Sequence, residues 1–152
     1  MKKIIHYSLF VIHFFLYACS RPAGSGIRAD MLLAEMRAPA GFAAPAAENL
    51  LDPKIAARYG IKPEDLADGG VLYDAARTSG GKIIVAVASN EESAARIEKA
   101  LSSERTRLVG ALEGGGRDGA VRKIKVKTRG RYCILIFCDN IKNIETIFDE
   151  FA

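Results

Sequence analysis

The chain has 152 residues, of which 49% are apolar and 26% charged; 22 basic against 18 acidic residues give a formal net charge of +4. That length suits one globular core, and so slight a positive balance is not the basic face with interleaved aromatics of a nucleic-acid binder, so no nucleic-acid partner is expected. Both histidines, His6 and His13, stand close to the start.

Lys2 and Lys3 precede an apolar run from Ile4 to Tyr17, which ends in Leu16-Tyr17-Ala18-Cys19. A short basic start, an apolar stretch of about fifteen residues and a small residue before the cut form the pattern of processed export, whereas a spanning helix needs about 20 apolar residues. The string resembles bacterial lipoprotein signals. Leu16, Ala18 and Cys19 fill the lipobox positions, while Tyr17 is bulkier than the usual Ala or Ser there. The resemblance implies cleavage between Ala18 and Cys19, lipid attachment at Cys19, and a mature chain anchored in a membrane of the bacterial cell envelope on its extracytoplasmic face. Cleavage would remove both histidines, and with them Ser-His and Cys-His catalysis and histidine zinc sites. It would also remove Lys2 and Lys3, lowering the formal charge from +4 to +2. No cofactor or metal is expected.

Ser20 to Arg28, with Pro22, Gly24, Ser25 and Gly26, reads as a polar tether. A helix is expected over Asp30 to Arg37, from the spacing of Met31, Leu32, Leu33 and Met36, with Pro39 as its stop. Ala40 to Pro45 reads as irregular. A second helix over Ala46 to Tyr59 would bury Leu50, Leu51, Ile55 and Tyr59, interrupted at Pro53 and ended by Gly60. Two strands follow. Val71 to Ala76 alternates, Thr78 to Gly81 turns, and Ile83 to Ala88 is apolar on both faces as a central strand would be.

A long helix from a Ser89/Glu92 capping box to about Glu113 carries Ala94, Ile97, Leu101, Leu108 and Leu112 as its apolar stripe. Gly114 to Gly119 breaks it. Val121 to Thr128 and Tyr132 to Cys138 pair through Arg129-Gly130 as a hairpin. A last helix, capped by Asp139 or Asn140, would bury Ile141, Ile144, Ile147, Phe148 and Phe151. The expected fold is α+β: an antiparallel four-stranded sheet with helices packed on it, a β-β-α-β-β-α core after N-terminal helices, in one domain over residues 29–152.

Short strings that suggest chemistry sit in the wrong context. Gly114, Gly116 and Gly119 satisfy G-x-G-x-x-G, but a helix precedes and a strand follows, the reverse of the dinucleotide fingerprint. Ser79-Gly80-Gly81-Lys82 satisfies S-x-x-K, yet two glycines oppose the helical turn that this nucleophile motif requires. Ser79 and Lys82, or carboxylates, remain the residues through which a small histidine-free envelope enzyme would work. The acids Glu64, Asp65 and Asp68, and Glu91 with Glu92, lack the alternate-position ligands of a calcium loop and read as helix starts or solvated loops. Cys133 and Cys138 lie five residues apart, on opposite faces of one strand and about 16 Å from each other. A disulfide needs Cα atoms within about 7 Å, so they read as separate buried thiols.

Lys123, Lys125, Lys127, Arg129 and Arg131 share parity along the second hairpin. They form either a solvent face that discourages edge-to-edge association or a basic ridge for anionic lipid head groups or an anionic wall polymer.

The order Tyr59-Gly60-Ile61 with Glu64-Asp65, an apolar strand near Ile83 to Val87, and Arg129-Gly130-Arg131-Tyr132 running into Ile134 to Phe137 resembles a family of small bacterial lipoproteins catalogued as domain of unknown function four-three-five-eight. The similarity covers about Leu50 to Phe151, and Gly130 with Tyr132 is its best match. Where that family tends to carry an Asp-Glu pair at the start of the central strand, this chain has Gly81-Lys82. The resemblance implies export, lipidation and an α+β domain, and implies no activity. The expected function is therefore a lipid-anchored envelope protein, a non-catalytic binding or adaptor module for an envelope protein or polymer.

Overall fold

Strands β1 (Pro45–Asn49), β2 (Leu66–Asp74), β3 (Lys82–Ala88), β4 (Ile124–Arg129) and β5 (Tyr132–Phe137) form one antiparallel sheet in the order β1-β2-β3-β5-β4. Helices α1 (Ala29–Arg37), α2 (Pro53–Arg58), α3 (Glu91–Gly114) and α4 (Ile141–Phe151) complete an α+β domain. This computed structural model describes residues 27–76, 80–116 and 123–152. The signal segment with Ala18 and Cys19, the tether to Gly26, Ser79 of the S-x-x-K string, and Gly119 of the glycine string lie outside the described residues.

The two central strands are apolar throughout because helices cover both faces of the sheet. Ile84, Ala86 and Ala88 of β3, with Cys133, Leu135 and Phe137 of β5, pack under Ala94, Ile97, Leu101 and Leu108 of α3. The alternate residues Ile83, Val85, Val87, Ile134 and Ile136 pack under Leu32, Leu33 and Met36 of α1 and Ile144 and Phe148 of α4. Period two in the strands thus meets period 3.6 in the helices twice, giving three layers. Full burial of a side chain such as Phe148 contributes about 1.5–3 kcal/mol.

The sheet has five strands rather than the expected four. The expected helix over Ala46 to Tyr59 is instead β1, a turn and α2. Pro53 does not interrupt a helix but opens one: it occupies the first helical turn, where its missing N–H has no partner to lose, and Asp52 caps it by accepting from Lys54 N at 2.8 Å. β1 is held from outside its own sequence, by register with β2 from Pro45 opposite Asp74 to Asn49 opposite Gly70.

Three smaller expectations are also corrected. Asn90, not Ser89, caps α3, accepting from Ser93 N at 2.8 Å. β2 begins at Leu66, five residues ahead of the expected start, and runs through Gly69 and Gly70. Phe151 stays exposed, while Ile144 and Phe148 make the buried stripe of α4.

α1 lies close on β2 for two reasons. A Cβ at Gly70 would stand 2.6 Å from Leu33 Cδ1, so any larger residue there would require the Leu33 side chain to shift. Arg28 at the N-cap position offers no side-chain cap, and Asp68 of β2 supplies one from a distance, its Oδ2 accepting from Ala29 N at 2.8 Å.

Candidate functional site

Lys125, Lys127 and Arg129 share the α4 side of the sheet, but not as a row of free charges, and Arg131 does not share it: Arg129 pairs with Tyr132 across the turn, so the parity inverts there and Arg131 reaches toward Ser89, ahead of α3. Lys123 pairs with Asp139, Lys125 with Glu145 of α4, and Lys127 with Asp149 of α4 at 2.6 Å from Oδ2. α4 therefore lays a line of carboxylates beside the line of lysines. Arg129 and Arg131, on either side of the Gly130 turn, differ. Each donates from Nη1 to a backbone carbonyl, Arg129 to Asp149 and Arg131 to Ser89 (3.3 Å for the latter). Among the described residues neither has a carboxylate in ion-pair contact. The uncompensated charge of the hairpin is thus concentrated at its turn.

Among the described residues three carboxylates are buried: Asp74, which accepts from Ala43, Ala44 and Ala76 N, and Asp65 and Glu104, which are covered by cations. Asp65, expected at a helix start or in a solvated loop, is only 3% exposed. It ends a short 3-10 turn over Pro63–Asp65 and accepts from Ser93 Oγ at 2.9 Å, Arg96 Nε at 3.0 Å and Arg96 Nη2 at 2.7 Å. Ser89 Oγ joins the cluster through Ser93 Oγ at 3.1 Å. The Arg96 guanidinium holds the Asp65 carboxyl below its ordinary value, with Ser93 assisting against the cost of burial.

Glu104 of α3 is 5% exposed and meets Arg107 Nε at 2.7 Å, Arg107 Nη2 at 2.8 Å and Lys82 Nζ at 3.3 Å. Burial alone would push its carboxyl upward, but Arg107 and Lys82 together outweigh it and hold the value down. Lys82 also stands 5.5 Å from the centroid of the Tyr59 ring. Both carboxylates are thus kept ionised with donors on their lone pairs, an arrangement that fixes geometry and does not poise a proton for transfer. Lys82, the described half of the S-x-x-K string, is engaged by Glu104 and Tyr59.

Cys133 and Cys138 are buried and free, on opposite faces of the sheet, as their spacing requires. Burial raises both thiols, Cys138 to about 11.

One cleft of about 440 Å³ opens between α1 and the β1 edge, with Leu33, Ala34 and Arg37 as a wall and Ala47, Gly70 and Leu72 as a floor. It exists because α1 and α4 cover β2, β3 and β5 on this face and leave β1 bare. Arg37 Nη2 closes its far end by donating to Pro45 O at 2.9 Å. Sequence reading missed this cleft because its floor strand was taken for helix.

Among the described residues, no group of three His, Cys, Asp or Glu side chains is arranged to hold a metal, and no helix is long and apolar enough to cross a membrane. The chain matches no known family, no curated protein and no solved structure, so the likeness to small lipoproteins rests on Gly130, Tyr132 and the other residues quoted for it.

Proposed function

We propose that the chain is a lipid-anchored protein of the bacterial cell envelope whose folded domain serves as a non-catalytic binding or adaptor module. The observation that carries this reading is the basic start, apolar run and Leu16-Tyr17-Ala18-Cys19 string, which supports export and a lipid acceptor together. The folded domain is in keeping with it. Its buried carboxylates, Asp65, Asp74 and Glu104, all accept from donors within the fold, and Cys133 and Cys138 are sealed inside, so the chemistry offered outward is surface and cleft. The binding partner would be an envelope protein or polymer within reach of the anchoring membrane.

Fractionation tests this directly. Expressed in a bacterium, the wild type should sediment with membranes and require detergent for release, while Cys19→Ala should not be anchored by lipid. Wild type and variant recovered alike in the soluble fraction would overturn it.

A further inference from the structure

The chain enters the described fold at one end of the sheet, and this end differs from the other. Tyr132 Oη donates to Ile27 O at 3.1 Å, which places the entry beside the start of β5 and the Gly130 turn. Asn140 Nδ2, ahead of α4, donates at 2.9 Å to Pro39 O, just past α1. The two helices therefore run antiparallel, and the start of α1 and the end of α4 share the entry pole. Asp68 ties the start of β2 to Ala29, and Leu50 N donates to Gly69 O at 3.1 Å, bringing Leu51 to the same end.

Met31, Leu51 and Phe151 are the exposed large apolar side chains among the described residues, at 59%, 42% and 40% exposure. All three gather at this pole. Single exposed apolar residues need no explanation, but their confinement to one end does. Arg129 and Arg131, the two hairpin cations without carboxylate partners among the described residues, flank the turn at the same pole. The acids Glu91 and Glu92 begin α3 on the opposite face of the sheet, while on the α1–α4 side Asp30 and Asp149 are paired with Arg28 and Lys127.

Eight Cα steps separate Cys19 from Ile27, at most about 28 Å of extended chain. The far pole lies a further β2 length away, about 30 Å. A lipid on Cys19 thus confines the entry pole to the vicinity of the bilayer. Each contact at such a pole is weak by itself, but the tether makes it intramolecular.

We infer that the entry pole rests in the interfacial layer of the bilayer that holds the lipid, with Met31, Leu51 and Phe151 among the head groups and Arg129 and Arg131 against lipid phosphates. This inference rests on the lipid-anchor reading. It sets the orientation of the domain, turning the far pole, with the Asp139–Lys123 pair and the start of α4, outward.

The chain has no tryptophan, so one introduced residue reports alone. Phe151→Trp and, at the far pole, Asn143→Trp would be prepared as lipidated protein in phosphatidylglycerol–phosphatidylethanolamine vesicles with and without brominated acyl chains. The inference requires fluorescence of the Phe151→Trp protein to fall by half or more in brominated vesicles and that of Asn143→Trp to stay unchanged. Leu51→Trp serves as a second reporter should the first variant fold poorly. Anchored protein of confirmed lipid mass with no quenching at either pole, or with equal quenching at both, overturns the orientation while leaving the anchor intact. Protein without lipid mass that stays off vesicles overturns both.

Discussion

Arg96 of α3 grips Asp65 through two of its nitrogens, Nε at 3.0 Å and Nη2 at 2.7 Å from Oδ1, and so ties the long helix to the turn that starts β2. Asp65 is held below its ordinary value, and Glu104 is held down as well. A carboxylate depressed in the folded state stabilises the fold fully above its unfolded value, about 3.9 for Asp, and loses that contribution as pH falls through the folded value. The melting temperature should therefore decline steeply below about pH 4. Asp65→Asn should melt lower at neutral pH and show a shallower acid decline, as read by circular dichroism melts across the acid range. An unchanged acid slope would show that Asp65 does not contribute to it.

Gly70→Ala tests the closeness of α1 to the sheet. Gly70 has no left-handed φ, so alanine carries no backbone penalty there and would ordinarily be neutral or stabilising in a loop or strand. The clash with Leu33 Cδ1 reverses that sign, with an expected loss of about 1–3 kcal/mol by chemical denaturation. Leu33→Ala opens a cavity and costs about 2–5 kcal/mol alone, but the double variant should lose less than the sum. Strict additivity would mean that α1 does not press on Gly70.

Asp68→Ala removes the borrowed cap of α1 and should cost about 1 kcal/mol, with faster amide exchange at Ala29 and its neighbours in the first turn. Asp68→Asn keeps an acceptor oxygen and should recover most of it.

The lysine–acid ladder between β4 and α4 lies at the surface, where paired charges contribute little. Lys125→Ala should change stability by less than about 1 kcal/mol, and by less still at high salt. A larger loss would show that α4 depends on the ladder for its docking, rather than on Ile144 and Phe148.

Neither Cys133 nor Cys138 should react with a thiol reagent in the native state, and both should react on denaturation. Counting thiols in the denatured mature protein also reads the anchor: two if Cys19 carries lipid through its sulfur, three if it does not.

Much of this fold is written locally. The doubly apolar run Ile83 to Ala88 announces a central strand, the alternation of Lys123 to Lys127 an edge strand, and Gly130 the turn between β4 and β5; all three are where their periods put them. What failed was held from afar. Pro45-Ala-Ala-Glu-Asn49 has little intrinsic strand character, and only its ladder with β2, more than twenty residues later, makes it β1. Leu50, Leu51 and Ile55 happen to satisfy a helical spacing across that boundary.

The candidate site divides the same way. The shared side of Lys125, Lys127 and Arg129 was legible, but not the inversion at the turn that sends Arg131 elsewhere, nor the partners, because Asp139, Glu145 and Asp149 come alongside only when α4 folds back on the sheet. Asp65 reads as a helix start or solvated acid, and Glu104 draws no attention at all, for the same reason: Arg96, Arg107 and Lys82 reach them in space, and a lone acid gives no sign in sequence of which cation will cover it.

Intact mass of the protein purified from bacterial membranes tests the central claim most directly. A chain starting at Cys19 and carrying the added mass of two or three acyl chains, absent from Cys19→Ala, is the result expected. An unlipidated chain that retains His6 and His13 would contradict it, and would also restore the two imidazoles on whose removal the exclusion of histidine chemistry depends.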